Sequence, residues 1–287
     1  MKPFRFGVHV VVAQSRADLV DVARKAEDLG YAVLTVPDHL IDACLSPFSA
    51  LGVAAEATSR LRIGPLVINN EFRHPALVAR EALTLDALSG GRVELGLGAG
   101  STMSRPEHDS VGVAFADART RVDRLSEAVD VVDGLMRGQQ VTHQGRHYRL
   151  DAHHSWPPPV QAPRPPIVVG GNGRRLLRMA AEKADVVSLS GIATSGFEPS
   201  PEAVDERVGI VREAAAGRDV ELQALVQRVV VGSADGGDAG PYLWTGTVDS
   251  ICGEVSAARE RWGFSYFTVF QDALEAAAPI VERLAGA

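Results

Sequence analysis

The sequence predicts a (β/α)8 barrel, in which eight parallel strands, each followed by a helix, close into a ring. The length of 287 residues suits one such barrel. Apolar, β-branched runs alternate with amphipathic runs, and a strand–helix unit recurs about every 36 residues. No point of reversal divides these even repeats, as it would in an open doubly wound sheet, which is the alternative fold. We therefore predict one domain over residues 1–287.

The individual elements follow from local patterns, taken in chain order. The first strand is an apolar run, and the helix after it begins at a capping box that opens with Ser15 and stops at Gly30. Pro75 suits the first turn of a later helix, which Gly90 ends. The predicted strands are residues 4–12, 32–36, 61–68, 93–98, 167–169, 185–189, 220–231 and 266–270. The predicted helices are residues 16–29, 76–88, 117–136, 174–183, 201–216, 247–262 and 273–284.

An insertion region interrupts this alternation between the fourth and fifth strands. Residues 138–150 carry two polar-alternating runs around Gly145, a pattern that predicts a small hairpin. Residues 157–166 are rich in proline, which is typical either of a domain linker or of an extended segment. We favour an extended crossing over the protein surface, because strand–helix alternation resumes immediately afterwards. A Gly- and Asp-rich stretch at 233–241 is expected to be a mobile loop.

Composition excludes several classes of function. The charge of 29 basic against 36 acidic residues is −7, which argues against a nucleic-acid surface built on clustered Lys and Arg. No apolar run approaches the roughly 20 residues of a membrane helix, and the first residues lack the apolar core of a signal peptide. Cys44 and Cys252 form no zinc spacing. We therefore expect a cytoplasmic protein with reduced thiols, a small-molecule substrate, and no nucleic-acid or membrane partner.

Candidate site residues follow the strands, because active sites of these barrels lie at the carboxyl ends of the strands. The second strand is followed by Asp38 and His39, of which His39 is the natural proton donor or acceptor and Asp38 could orient it. His9, inside the first strand, could face the barrel mouth or be a hydrogen-bonded core residue. The third strand is followed by Asn69. Four histidines near the hairpin (143, 147, 153 and 154) lack convergent carboxylates, so no metal site is predicted.

Two glycine clusters also follow strands. The fourth strand ends in Gly98-Ala99-Gly100-Ser101, and the fifth in Gly170-Gly171-Asn172-Gly173. The second cluster opens a helix at Arg174, so backbone N–H groups, the helix N-terminus and this guanidinium could bind an anion such as phosphate. A tight turn without a ligand is the alternative interpretation.

Together these strings resemble the luciferase-like monooxygenase superfamily, in particular its branch that uses the deazaflavin coenzyme F420. The resemblance covers nearly the whole chain and is most specific in two long strings. The matching stretches are VPDHL (36–40), NNEFRHP (69–75), LDALSGGRVELGLGAG (85–100), the hairpin at 141–148, and QAPRPPIVVGG (161–171).

The resemblance implies a barrel that binds a flavin-type ring in its mouth and forms a homodimer. It implies a non-proline cis peptide between Leu66 and Val67, and a phosphate held by the second glycine cluster. The expected catalytic residues are His39 and Asp38, with His9 in reserve. The expected cofactor-binding residues are Asp38, His39, Leu66, Val67, Asn69, Ala99, Gly100, Ser101, Gly170, Gly171, Asn172, Gly173 and Arg174. One departure is Ser101, which stands where sugar-phosphate-oxidising members carry a glutamate that assists proton transfer.

The expected function is hydride transfer between coenzyme F420 and a small carbonyl, imine, activated alkene or alcohol, with His39 moving the proton. The alternatives are an FMN-dependent monooxygenase of the same superfamily and a non-catalytic flavin- or deazaflavin-binding protein. The residues 102–116 and 192–200, which are expected to contact substrate, match no substrate class.

Overall fold

The computed structural model describes residues 2–40, 44–190, 200–232 and 240–287. The expected mobile loop at 233–241 and the expected substrate loop at 192–200 lie almost entirely outside these residues. The strands are β1 (Arg5–His9), β2 (Val33–Val36), β3 (Arg62–Pro65), β4 (Ile68–Asn69), β5 (Leu95–Gly98), β6 (Val141–Gln144), β7 (Arg149–His153), β8 (Ile167–Gly170), β9 (Val186–Ser190), β10 (Glu221–Leu225), β11 (Arg228–Val231), β12 (Leu243–Gly246) and β13 (Phe264–Phe270). The helices are α1 (Arg16–Asp28), α2 (Pro47–Ala57), α3 (Pro75–Ser89), α4 (Arg105–Ser110), α5 (Ala118–Met136), α6 (Arg174–Lys183), α7 (Pro201–Ala215), α8 (Val248–Trp262) and α9 (Leu274–Leu284).

The main sheet closes into the predicted barrel. Its strand order is β3-β2-β1-β13-β10-β9-β8-β5-β4, and the neighbouring strands are parallel. A bridge between Ile63 in β3 and Val93, just before β5, joins the two ends of this order. Because all the strands run in one direction, the residues that follow them meet at one end of the barrel.

Two predicted strands are each divided in the structure. The run at 61–68 forms β3 and β4, which are separated by a cis peptide bond between Leu66 and Val67, as expected from the resemblance. The run at 220–231 forms β10, which belongs to the barrel, and β11, which pairs with β12 in a separate parallel pair. All seven predicted helices are present, but α2 and the short α4 were missed. The α2 segment is apolar on most faces, so it lacks the alternation of polar and apolar residues that predicts a surface helix, although Ser46 and Pro47 stand at its N-cap and first turn.

The insertion region has the predicted form. Strands β6 and β7 pair antiparallel as a hairpin, and the proline-rich segment after them runs to β8 through several bends, without helix or strand. Two of its proline bonds, Trp156–Pro157 and Ala162–Pro163, are cis. Near its end, Gln161 donates from Nε2 to Asp86 Oδ1 and to the Val93 carbonyl, both at 2.8 Å. These hydrogen bonds tie the segment to α3 and to Val93, just before β5.

Ion pairs close the amino-terminal end of the barrel. Arg5 donates to Glu94 (Nη1 to Oε1, 2.5 Å) and to Glu221 (Nη2 to Oε2, 2.7 Å), while Arg62 donates to Glu94 (Nε to Oε1, 2.7 Å). Burial opposes ionisation of Glu94, but the two guanidinium groups outweigh it and lower its pKa. None of the helices in the described ranges combines the length and apolar character that crossing a membrane requires.

Candidate active site

The carboxyl end of the barrel collects the residues that the sequence placed after strands. His9 ends β1, Asp38 and His39 follow β2, Asn69 ends β4, and Gly170 ends β8. These positions are brought together by strand direction alone. Within the described residues, no three His, Cys, Asp or Glu side chains form a group that could hold a metal ion.

Asp38 does not orient His39, contrary to expectation. Its side chain is 3% exposed, forms an ion pair with Arg73, and accepts the backbone N–H of Asn69 at 3.0 Å. Asp38 therefore fastens the residues after β2 to the segment around β4.

Glu107, which was not predicted, is the partner of His39. His39 Nδ1 lies 2.8 Å from Glu107 Oε1, and the backbone N–H of Leu40 donates to Glu107 Oε2 at 2.6 Å. Glu107 lies in the first turn of α4, inside the stretch 102–116 that was set aside as a substrate loop. An acidic residue in a helical first turn is common and carries no sequence signal of such a contact.

The imidazole of His39 is held on one side and open on the other. Its side chain is 45% exposed, while that of Glu107 is 7% exposed. No group in the described part of the chain hydrogen-bonds to its Nε2 atom. A titratable nitrogen at the barrel mouth can therefore meet a bound molecule.

Of the two alternatives for His9, facing the barrel mouth or being a hydrogen-bonded core residue, the structure shows the second. It is buried, and its Nδ1 lies 2.9 Å from the Thr35 hydroxyl oxygen, which in turn donates to the Val8 carbonyl at 3.3 Å. Nδ1 therefore carries the hydrogen. Burial, and secondarily the nearby His39, lower the pKa of His9 to about 3. Such a group stays uncharged at neutral pH, so it does not suit the reserve role of proton donor.

The polar groups around the first glycine cluster mostly form hydrogen bonds within the chain. Asn69 accepts the Glu71 N–H at 3.1 Å and has its amide nitrogen 3.2 Å from His108 Nε2. The Ala99 carbonyl accepts from Arg121 at 3.0 Å, and Gly100 has a positive φ of 67°. Ser101 forms a capping box with Ser104. The Ser101 N–H donates to the Ser104 hydroxyl, and the Ser101 hydroxyl accepts the Met103 N–H. Ser101 thus supplies no acid, as expected, but Glu107 brings a carboxylate to His39 instead.

Val67, at the cis peptide bond between β3 and β4, packs against two glycines. A Cβ atom on Gly98 would lie 2.4 Å from Val67 Cγ2, and one on Gly170 would lie 3.1 Å from Val67 Cγ1. Leu66 is buried, and Val67 is partly exposed. Glycine at these two strand ends lets the Val67 side chain rest directly on backbone at the barrel mouth.

The second glycine cluster differs in detail from the expectation. The Gly171 N–H donates to the Ser188 carbonyl at 3.0 Å, so it is not available to an anion. Asn172 bridges the backbone of Ser190 with both of its amide atoms. Gly173 is the N-cap of α6 and provides no side-chain cap. The donors open to an anion are therefore those of the first turn of α6.

The two arginines that open α6 are paired with acids. Arg174 donates to Glu206 (Nε to Oε1, 2.8 Å), and Arg175 donates to Asp123 (Nε to Oδ1, 3.1 Å). Both lie on the exposed side of the helix. A fork from Arg174 to a phosphate would require this side chain to leave Glu206.

Comparison with known proteins identifies the family. The sequence profile of the luciferase-like monooxygenases matches residues 1–239, so the chain belongs to that family. It is 32% identical over 206 residues to an F420-dependent glucose-6-phosphate dehydrogenase of Nakamurella multipartita, covering 69% of this chain and 58% of that protein. It is 28% identical over 201 residues to a 5,10-methylenetetrahydromethanopterin reductase of Archaeoglobus fulgidus, covering 70% and 57%. The matched stretch thus spans less than two thirds of the length of these relatives.

A solved structure shares the fold. The coenzyme F420-dependent tetrahydromethanopterin reductase of Methanopyrus kandleri superimposes with a TM-score of 0.81 at 20% identity, covering 99% of this chain and 98% of that one. The predicted barrel class is thereby confirmed.

Proposed function

We propose that this chain is an oxidoreductase that transfers a hydride between coenzyme F420 and a small organic substrate. The observation that carries the proposal is His39, which Glu107 holds at the carboxyl end of the barrel with Nε2 facing outward. The names of the two relatives support the same class, since one is an F420-dependent dehydrogenase and the other a 5,10-methylenetetrahydromethanopterin reductase.

The residues present fit a deazaflavin with a phosphate-bearing tail. The first turn of α6 has backbone donors without a side-chain cap, and a side chain on Gly173 would meet nothing within 4 Å. This leaves room for an anion at a helix end that favours negative charge. Val67 would line the ring, Ala99 would line the path of the tail, and the α6 end would hold the phosphate.

When bound, the deazaflavin ring supplies or accepts the hydride. The chain then has to move the accompanying proton. The Nε2 atom of His39 accepts this proton from the substrate heteroatom or returns it. The walls of the barrel mouth orient the substrate beside this atom. His9 takes no part in this proton movement, because it holds its single hydrogen at Nδ1 toward Thr35.

The proposed substrate is a small carbonyl, imine, activated alkene or alcohol. The glucose 6-phosphate named for a relative is not carried over to this chain. In this chain Ser101 is spent on capping a turn, so it provides no acid at the place where sugar-phosphate-oxidising relatives carry one. The expected homodimer and cytoplasmic location stay predictions.

A comparison of cofactors tests the proposal. The protein is titrated with F420 and with FMN, each oxidised and reduced, while ring fluorescence and oxygen consumption are followed. Preferential binding of F420 without rapid oxygen consumption is the expected result, since reduced deazaflavins react slowly with oxygen. Preferential FMN binding with oxygen uptake would identify a monooxygenase instead. F420 binding without turnover of any of the four substrate types would identify a binding protein.

A further inference from the structure

We propose that Glu107 is a positioning residue that fixes the tautomer of His39. In the uncharged imidazole, Nδ1 then carries the hydrogen and Nε2 the lone pair. The two contacts that lead to this inference are the 2.8 Å distance from Nδ1 to Glu107 Oε1 and the 2.6 Å bond from the Leu40 N–H to Glu107 Oε2.

Counting donors and acceptors gives the tautomer. A carboxylate offers only acceptors, so each group that contacts it must donate. The Leu40 N–H is a backbone donor and cannot change its role. Nδ1 must therefore also be a donor, and the remaining nitrogen of an uncharged ring is Nε2, without a hydrogen.

The surroundings favour a lasting contact. Glu107 is almost fully buried, so water competes weakly for its oxygens, and charge-assisted hydrogen bonds of this kind are stronger than neutral ones. Each carboxylate oxygen holds one neighbour, so the same residue fixes the ring of His39 and the backbone that follows it. No other carboxylate is within salt-bridge distance of His39 among the described residues.

The consequence for the reaction rests on the proposed function. Nε2 becomes the only nitrogen that exchanges a proton with substrate, because the Nδ1 hydrogen stays on Nδ1 in its bond to Glu107. The uncharged ring accepts a proton at Nε2, and the charged ring returns it from the same atom. One geometry thus serves both directions of substrate oxidation and reduction.

The variant Glu107→Gln tests the inference because it has nearly the same shape but different donors. Its amide oxygen must accept the Leu40 N–H, since the alternative orientation would set two donors against each other. Its amide nitrogen then faces Nδ1 as a donor, so Nδ1 must give up its hydrogen. The variant should therefore carry the hydrogen on Nε2, the reverse of the wild type.

The measurement is ¹⁵N NMR of the cofactor-free full chain with labelled histidine, since a bare ring nitrogen and a protonated one resonate far apart. Wild type should show a bare Nε2 on His39, and Glu107→Gln a bare Nδ1. Asp109→Asn, which removes an exposed carboxylate from the same helix, is the matched control and should keep the wild-type pattern. His39→Gln identifies the resonance.

Kinetics add a second readout once a substrate is known. A placed acid–base group contributes about 100- to 10,000-fold, so the wrong tautomer should lower kcat by about tenfold or more with little change in KM. An uncharged wild-type ring with its hydrogen on Nε2, or an uncharged ring with the wild-type pattern in Glu107→Gln, would overturn the inference. The wild-type spectrum decides even if the variant does not fold. Because this spectrum needs no cofactor, its outcome is separate from any failure to bind F420.

Discussion

Replacing His9 with glutamine should reduce the free energy of unfolding that the protein loses in mild acid. His9 is uncharged in the folded protein, where burial and the nearby His39 lower its pKa to about 3. In the unfolded chain a histidine has a pKa of about 6.5. Between these two values the unfolded chain binds a proton at this position and the folded chain does not. Stability from this group is therefore lost as the pH falls below about 6.5.

The size of the effect follows from the two pKa values. From pH 7.5 to pH 5, the preferential protonation of the unfolded chain at His9 should cost about 2 kcal/mol of unfolding free energy. Glutamine cannot be protonated, so this part of the loss disappears. His9→Gln should be less stable at pH 7.5, because it gives up the ring contact with Phe270, but it should lose about 2 kcal/mol less on acidification.

Urea unfolding at the two pH values, followed by circular dichroism, measures this difference of differences. Groups common to both proteins cancel, which isolates the contribution of His9. His154→Gln, which removes an exposed imidazole of the insertion region, controls for the loss of a histidine as such. Equal losses in wild type and His9→Gln would refute the assignment of His9 as a buried, uncharged core residue.

Three further substitutions test the packing of Val67 on Gly98, the ion pair of Asp38 with Arg73, and the anion site at the start of α6. Gly98→Ala would place Cβ 2.4 Å from Val67 Cγ2 and should cost about 1 to 3 kcal/mol in urea unfolding. Gly253→Ala, in open space on α8, should cost nothing or gain up to about 1 kcal/mol, and similar values for the two would contradict the packing argument. Asp38→Asn leaves the partly exposed Arg73 without its carboxylate and should lower the free energy of unfolding by about 2 kcal/mol, measured by thermal unfolding. No loss of stability would contradict a structural role for this ion pair. Gly173→Asp would cap α6 and should preserve or slightly raise stability, yet its negative charge should lower F420 affinity about tenfold relative to the uncharged control Gly173→Asn. Equal affinities of the two variants in a fluorescence titration would contradict a phosphate site at the start of α6.

The barrel could be predicted from the sequence because its signals are local. Apolar strand runs, capping residues such as Ser15 and stops such as Gly30 each depend on neighbours within one or two turns. The segments that were missed lack those signals. The apolar run at 220–231 gives no sign that it leaves the barrel after Leu225 to pair with β12. Periodicity reports burial, and it does not report which sheet a strand joins.

The side-chain contacts of the site could not be predicted in the same way. Asp38 and His39 are adjacent in sequence, which suggested a pair, yet each is engaged by a residue far along the chain. Arg73 follows Asp38 by 35 positions, and Glu107 follows His39 by 68. Such pairs are set by how β4 and α4 pack over the barrel mouth. A single sequence holds no local pattern for that packing.

The two carboxylates act on the same short segment from different sides, and this separates structure from chemistry in a useful way. Asp38 is buried beneath the segment and ties it to the β4 region through Asn69 and Arg73. Glu107 reaches the segment from α4 and contacts His39 and its neighbour. Loss of Asp38 should therefore lower stability and misplace the histidine together. Exchange of Glu107 for glutamine, by contrast, should leave the histidine in place and alter only which nitrogen carries its hydrogen. If loss of Asp38 and Glu107→Gln had the same effect on stability and on the histidine, the two carboxylates would not have separate roles, and His39 would need no particular tautomer.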